Sequence, residues 1–258
     1  MDKTFLKGLA VMEAMSQDEG SSGVTELAEH LGLGKSNVHR LLQTLVHAGY
    51  VRRVEAVGRY ELTTKLWELG ARIHRRLDLR TEALPFMEQL AAVTHETVHL
   101  SILDGADVLY IEKIDSPQPV RAYTAVAGRA PAACVATGKA MLAWASVEDI
   151  ALAAESLQAH TPQSITSAAE LDRQLQQVRK LGYAVNTGEW REQVVGLAAP
   201  IHDVYGTVVA ALGISGPLQR LDEQVIRDHV PFVMEMADQV SQRLGYRPHL
   251  PAAPRAQD

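Results

Sequence analysis

Apolar residues recur at helical spacing in two short runs over residues 25–45, broken by glycines. Leu27, Ala28 and Leu31 stripe the first run, with Thr25 placed to cap it and Glu26 in its first turn. Gly32 and Gly34 allow a turn where side chains would clash. The second run buries Val38, Leu41, Leu42 and Leu45, spaced i, i+3, i+4, i+7. Its other face carries Ser36, Arg40, Gln43 and His47, with Lys35, Asn37 and His39 near the start. Polar and basic groups at the start of a second helix suit reading of base edges and phosphates in a major groove. An ordinary helical hairpin with a solvated face would share this pattern. The next two stretches, 50–54 and 59–63, alternate as strands around a turn at 55–58. A hairpin directly after such a helix pair predicts a winged helix-turn-helix, with Arg52, Arg53 and Arg59 on the wing facing phosphates.

The flanking pattern predicts a helix over 5–15, with Phe5, Leu9 and Met12 on one side, then a polar loop over 16–23. Residues 64–78 read as a linker helix with Leu66, Leu69 and Ile73 apolar and Arg72, Arg75 and Arg76 charged. Another helix follows around Leu84, Met87, Leu90 and Ala91. Beyond Thr94 the period becomes two: 97–103, 107–115 and 120–126 read as strands, with Asp104-Gly105 as a turn. Residues 134–145 read as an apolar helix. Ser167 and Glu170 form a capping-box pattern ahead of a helix with Leu171, Leu175, Val178 and Leu181 inward and Gly182 at its end. Strands near 194–202 and 207–215 and a helix over 222–244, which Pro231 should kink, complete an α+β domain with an antiparallel sheet. The expected organisation is a winged helix over 1–63, a linker helix over 64–80, an α+β domain over 81–246 and a frayed tail over 247–258.

Charge sharpens this picture. The 258 residues carry a net charge of −6, which argues against indiscriminate nucleic-acid binding. Yet 32–65 holds six basic residues against Glu55 and Glu61, while residues 79–258 are net −7. Such a molecule docks on DNA through one small module. A single cysteine, Cys134, excludes an intrachain disulfide framework and fits a reducing compartment. No stretch approaches 18 apolar residues and no signal-peptide pattern opens the chain, so a cytoplasmic protein without membrane contact is expected.

Several motifs are weaker than they look. His95-Glu96-Thr97-Val98-His99 matches H-E-x-x-H, but Thr97, Val98 and Ile102 favour a strand. There the two imidazoles would stand about 13 Å apart, too far for one metal. Thr137-Gly138-Lys139-Ala140 lacks the leading glycine and the Ser/Thr of a P-loop. Cys134 has no evident base partner, and Ser215 lacks the spacing of a nucleophile elbow. No metal, cofactor or catalytic residue is expected. Three functions remain: a DNA-binding regulator answering to a small effector, an enzyme built on the α+β domain, and a scaffold whose winged helix binds protein.

The combined pattern resembles the IclR family of bacterial transcriptional regulators over about residues 3–245. The likeness rests on Leu33-Gly34-Lys35-Ser36-Asn37-Val38-His39-Arg40-Leu41-Leu42, Glu96-Thr97-Val98-His99-Leu100, Gly128-Arg129-Ala130-Pro131, Thr137-Gly138-Lys139-Ala140 and Leu212-Gly213-Ile214-Ser215-Gly216-Pro217. The resemblance implies a repressor with an N-terminal winged helix-turn-helix, a linker helix and a C-terminal GAF-like domain that binds a small organic acid. It implies a homodimer or dimer of dimers on palindromic double-stranded operator DNA. It places the effector carboxylate on backbone amides of Ala136, Thr137 and Gly138, with Val194, Gly196, Gly213 and Ser215 on the far wall and Asn186 at the rim. Gly196 and Gly213 stand where larger residues can sit, which suggests a roomy pocket for an aromatic or sugar-derived acid.

Overall fold

The computed structural model describes residues 2–17, 20–74 and 78–247, with backbone alone for 17, 70–74 and 78. The side chains of Arg72 and Ile73, residues Arg75 and Arg76, and the tail beyond Arg247 lie outside the described residues. The chain divides into two compact units, Met1–Leu77 and Asp78–Asp258.

The first unit holds α1 (Lys3–Gln17), α2 (Val24–His30), α3 (Lys35–His47), β1 (Val51–Val54), β2 (Arg59–Leu62) and α4 (Thr64–His74). The stripe read from the sequence is its core: Leu27, Ala28, Val38, Leu41, Leu42 and Leu45 pack with Val11, Met15, Val51 and Tyr60. Full burial of one such aliphatic side chain stabilises by about 1.5–3 kcal/mol. The cap of α2 is Gly23 rather than Thr25, which lies inside the helix. Glu26 Oε2 accepts the Gly23 amide at 3.1 Å, so a carboxylate three residues on closes the N-terminus. Gly32 has φ +62°, a left-handed turn residue, whereas Gly34 has an ordinary φ of −68° and caps α3. β1 and β2 pair antiparallel with Val51 opposite Leu62, and Ser22 bridges to Tyr60 at the hairpin's edge.

The second unit is a six-stranded antiparallel sheet in the order β5-β4-β3-β8-β7-β6. Its strands are β3 (Thr97–Asp104), β4 (Asp107–Ile114), β5 (Arg129–Pro131), β6 (Ala184–Thr187), β7 (Val194–His202) and β8 (Val208–Pro217). Period two splits the central strands cleanly. Val98, Leu100, Val195, Leu197, Ala199, Leu212 and Ile214 face α5 (Asp78–Thr94) and α9 (Glu223–Arg243) in one core. Ala198 and Ala211 face a second core with α6 (Ala136–Leu142) and α8 (Ala168–Leu181), and Ile150 and Ala153 of α7 (Val147–Glu155) join it. Helices therefore cover both faces, which explains why β7 is buried from Val195 to Ile201 without alternation.

The structure departs from the sequence expectation at particular places. Residues 120–126 form no strand. They run as an irregular strap pinned by side chains instead of a ladder: Arg220 Nη1 donates to the Val120 carbonyl (2.8 Å) and Lys113 Nζ to that of Thr124 (2.9 Å). The apolar run over 134–145 is a 3-10 turn (Ala132–Cys134) followed by the shorter α6, because Val135 takes an extended conformation between them. Ser167 caps α8 by accepting the Glu170 amide, but Glu170 turns its carboxylate to Arg173 and Gln174. Leu181 is 43% exposed rather than inward, since α8 ends there at Gly182. The short elements β5, β6 and α7 had no pattern long enough to read. Among the described residues no helix is long and apolar enough to cross a membrane.

Candidate functional site

Two surfaces carry the candidate chemistry, one in each unit. In the first, the core stripe of α3 forces its remaining residues outward: Lys35, Ser36, His39, Arg40 and Gln43 are exposed and Asn37 is half-buried. The Arg40 guanidinium has no partner among the described residues. Gln43 Nε2 donates to the Tyr60 hydroxyl at 3.2 Å, which ties the helix to β2.

The wing arginines differ from one another. Arg52 lies opposite Glu61 in the ladder and pairs with it while staying 72% exposed, and Arg53 is 4.0 Å from Glu55. Arg59 is engaged inside the unit. Its fork meets both Glu26 oxygens at 2.8 and 2.6 Å, and its Nε and Nη2 reach the Ser21 carbonyl at 3.0 and 2.6 Å. A bidentate carboxylate clamp of this kind fixes geometry as well as charge. The Arg59 bond, helped by the Gly23 amide, holds the Glu26 carboxyl at about 2, well below the usual carboxylate range. The expectation that Arg59 meets phosphate thus has to compete with this clamp. Arg59→Ala is expected to lower the melting temperature of the first unit by roughly 5 °C and to leave the salt slope of DNA binding unchanged. The sign with pH follows from the depressed Glu26 value. Its contribution is full above the unfolded 4.5 and is lost as pH falls toward 2, so Arg59→Ala should remove that acid limb from a melting series.

In the second unit, small residues on one face of β7 and β8 leave a cavity of about 620 Å³ beneath the strap. Its lining includes His99, Tyr110, Tyr123, Val135, Ala136, Thr137, Asn186, Trp190, Arg191, Val194, Gly196 and Ser215. Thr137 is 5% exposed, and its hydroxyl has no hydrogen-bond partner. Arg129 stands at the wall with Asp104 and Asp107 behind it. Arg191 lies over the Trp190 ring, 4.8 Å from its centroid. No carboxylate lines the cavity among the described residues.

Most residues expected at the pocket come together there, with three differences. Asn186 is 4% exposed rather than at a rim, and its Oδ1 accepts the Ala136 amide at 3.1 Å, so that amide already has a partner. Gly138 is not in the lining: any Cβ on it would overlap the Ala132 backbone, so it serves the packing of α6 on the 3-10 turn. Gly213 is likewise absent from the lining, since a Cβ there would strike Leu197 and Ala198. Gly196 does line the cavity, and a Cβ would collide with the Asn186 oxygen.

Sequence reading missed His99, Tyr110, Trp190 and Arg191. His99 could have been found, because Val98 and Leu100 point to one core and so send His99 to the other face. It is 4% exposed and close to Ser215. Burial, and secondarily the Lys113 cation, push it down to about 4, with Asp115 opposing. Of the rejected H-E-x-x-H motif, His95 precedes β3 at φ +56° and Glu96 pairs with Arg220 at 2.6 Å. Cys134 is buried, which pushes its thiol up to about 11.

The cavity wall is held by a buried ion pair. Lys139 of α6 is 1% exposed and donates to both Glu189 oxygens (2.7 and 2.8 Å) and to Gln174 Oε1 (2.8 Å). Desolvation lowers the Lys139 pKa and raises that of Glu189, and their mutual attraction opposes both shifts. Thr161 and Ser164 hydroxyls donate at 2.7 Å to the carbonyls of Gly188 and Glu189 respectively, so the segment leading into Trp190 and Arg191 is fixed on two sides.

Comparison with known proteins places both units. A model described as the IclR helix-turn-helix domain matches residues 5–55, and one described as bacterial transcriptional regulator IclR C-terminal matches 71–242. The chain is 36% identical over 245 residues to the transcriptional regulator KdgR of Escherichia coli K12, covering 94% of this chain and 93% of the relative. It is 31% identical to the transcriptional repressor AllR of the same strain, over 94% of this chain and 90% of the relative. Among solved structures, an IclR homolog from Microbacterium hydrocarbonoxydans, complexed with 4-hydroxybenzoate, superposes with TM-score 0.80 at 28% identity, over 94% of this chain and 99% of that one.

Proposed function

This chain belongs to the IclR family of bacterial transcriptional regulators, and on that premise we propose that it is a repressor whose DNA affinity is set by a small organic acid bound in the 620 Å³ cavity. The observation that carries the acid is the cavity's polarity. It has a buried Thr137 hydroxyl without a partner and two arginines on its wall, with no lining carboxylate among the described residues. A buried polar group in that state calls for a partner, and an anion oxygen supplies one. The Thr137 amide precedes the first helical bond of α6, Lys139 to Val135, and is a further donor for such an oxygen. Tyr110, Tyr123 and Trp190 give the walls an aromatic character that suits an aromatic acid. The homologue that carries 4-hydroxybenzoate supports the same class. A thermal-shift panel of aromatic, sugar-derived and short-chain acids tests this: at least one should raise the melting temperature at millimolar concentration. Failure of the whole panel would remove the acid from the reading.

The DNA face is α3, with Lys35, Ser36, Asn37, His39, Arg40 and Gln43 directed to the groove and Arg52 and Arg53 to phosphates. A two-fold operator needs a two-fold protein, so the binding species is a dimer or a dimer of dimers. Apolar surface is available for it in the first unit: Phe5 is 65% exposed and Trp67 74%, with Leu69 at 39%. Light scattering at micromolar concentration should give at least twice the 28.2 kDa of one chain. A stable monomer with full operator affinity would overturn the assembly.

A further inference from the structure

We propose that His99 is the specificity-determining residue of this cavity, delivering through Ser215 one hydroxyl proton to an acceptor oxygen of the ligand. The inference rests on the reading of the cavity as an effector site and adds which ligand atom must sit at the Ser215 end.

The geometry is a three-member relay. His99 on β3 lies opposite Gly213, so Ser215 is its diagonal neighbour on the same face of β8. His99 Nε2 stands 2.5 Å from Ser215 Oγ. Its Nδ1 stands 3.2 Å from Thr124 Oγ1, on the strap that covers the cavity. The Tyr110 ring packs at 5.1 Å between centroids, tilted by 51°, and limits how the imidazole can turn. All four side chains line the cavity.

The proton count sets the polarity. An imidazole this far buried is neutral at pH 7 and carries one N–H. With the two hydroxyls the relay owns three protons, and its two hydrogen bonds consume two of them. One is spare. When Nε2 holds the proton, it donates to Ser215 Oγ and the Ser215 hydroxyl is free to donate into the cavity. Thr124 then donates to the bare Nδ1. With the other tautomer the spare proton moves to Thr124. A ligand oxygen that accepts at Ser215 therefore selects the Nε2–H form. A ligand group with donors only selects the Nδ1–H form instead, in which Ser215 donates to Nε2 and the spare proton sits on half-buried Thr124, whose hydroxyl has only His99 as a partner among the described residues.

The charged and titratable groups around the ring leave this count intact. Lys113 Nζ is bound to Asp115 and to the Thr124 carbonyl at 3.0 and 2.9 Å. Tyr110 is pushed up to about 12 by burial and stays a phenol. Arg129 is paired with Asp104.

The test titrates the full-length protein by calorimetry at pH 7 with benzoate, 4-hydroxybenzoate and pyruvate. His99→Phe and Ser215→Ala should each weaken the acid that binds best by roughly tenfold, about 1.4 kcal/mol. The double variant should be no weaker than Ser215→Ala alone, because His99 acts only by orienting the Ser215 hydroxyl. His99→Gln, whose amide can still donate to Ser215, should recover most of the affinity. Melting curves within a few degrees of the parent protein separate this from a packing defect. Nitrogen NMR of the complex should show the Nε2–H tautomer. Additive losses, unchanged affinity in either single variant, or an Nδ1–H complex would overturn the relay while leaving the acid pocket standing. Absence of binding by all three acids to the parent protein, together with a failed thermal-shift panel, would overturn both.

Discussion

Lys139→Met is expected to destabilise the second unit by about 3–5 kcal/mol, the usual cost of stripping one partner from a buried ion pair. The pair is closed on both sides: Lys139 is 1% exposed and Glu189 8%, and the ammonium spends its three donors on two Glu189 oxygens and Gln174. Methionine fills most of the stem's volume but leaves the carboxylate with no cation. Burial already raises the Glu189 pKa against the pull of Lys139, and without that pull it rises further. A folded value above the unfolded 4.5 means the neutral acid is favoured below 4.5, and that stability is lost as pH rises through the folded value. The variant's deficit should therefore shrink on acidification toward pH 4.5 and be largest at neutrality. Lys139→Met with Glu189→Gln should recover a good part of it. Urea unfolding at pH 5 and pH 8 checks the prediction. An equal loss at both pH values would mean that Glu189 is not the charge left behind.

Arg40→Ala should weaken operator binding by about 1–3 kcal/mol and relax base preference, while the fold stays intact. Val38, Leu41, Leu42 and Leu45 bury one face of α3, and Arg40 projects from the other. No carboxylate holds its guanidinium among the described residues, so docking on a guanine edge breaks no existing pair. Arg52 must leave Glu61 to do the same for a phosphate, and Arg59 must leave Glu26 and Ser21. The measurement is fluorescence anisotropy on a sequence selected from random DNA by the parent protein, beside scrambled DNA. Loss on the selected site with little change on the scrambled one is the expected result. Equal loss on both would make Arg40 a phosphate contact, and no loss on either would take α3 out of the groove.

The first unit was legible because its core is local. The i, i+3, i+4, i+7 stripe of α3 and the alternation over 50–63 each state a period within a dozen residues, and Tyr60 and Leu42 sit where that period puts them. The second unit was legible wherever a strand ran eight residues or more. The strap was misread because Val120 and Val126 have strand-like side chains, while its anchors, Arg220 and Lys113, lie elsewhere in the sequence. The cavity was half legible. Thr137 and Ser215 belong to recognisable motifs, and Gly196 was placed only by the family resemblance. Trp190 and Arg191 come from the connection between β6 and β7, whose position depends on a lysine fifty residues away. Arg59 was placed on the right hairpin, but its partner Glu26 is thirty-three residues upstream, and no local pattern announces that contact.

The clamp of Arg59 on α2, with the Ser22–Tyr60 bridge and the Gln43–Tyr60 hydrogen bond, fastens the hairpin to both helices before any DNA arrives. Recognition by this unit is then rigid-body docking. Little chain entropy is lost on association, and the heat-capacity change should track only the surface the groove covers, without the large excess that accompanies coupled folding. The wing amides should also resist hydrogen exchange equally well in the free protein and in the complex.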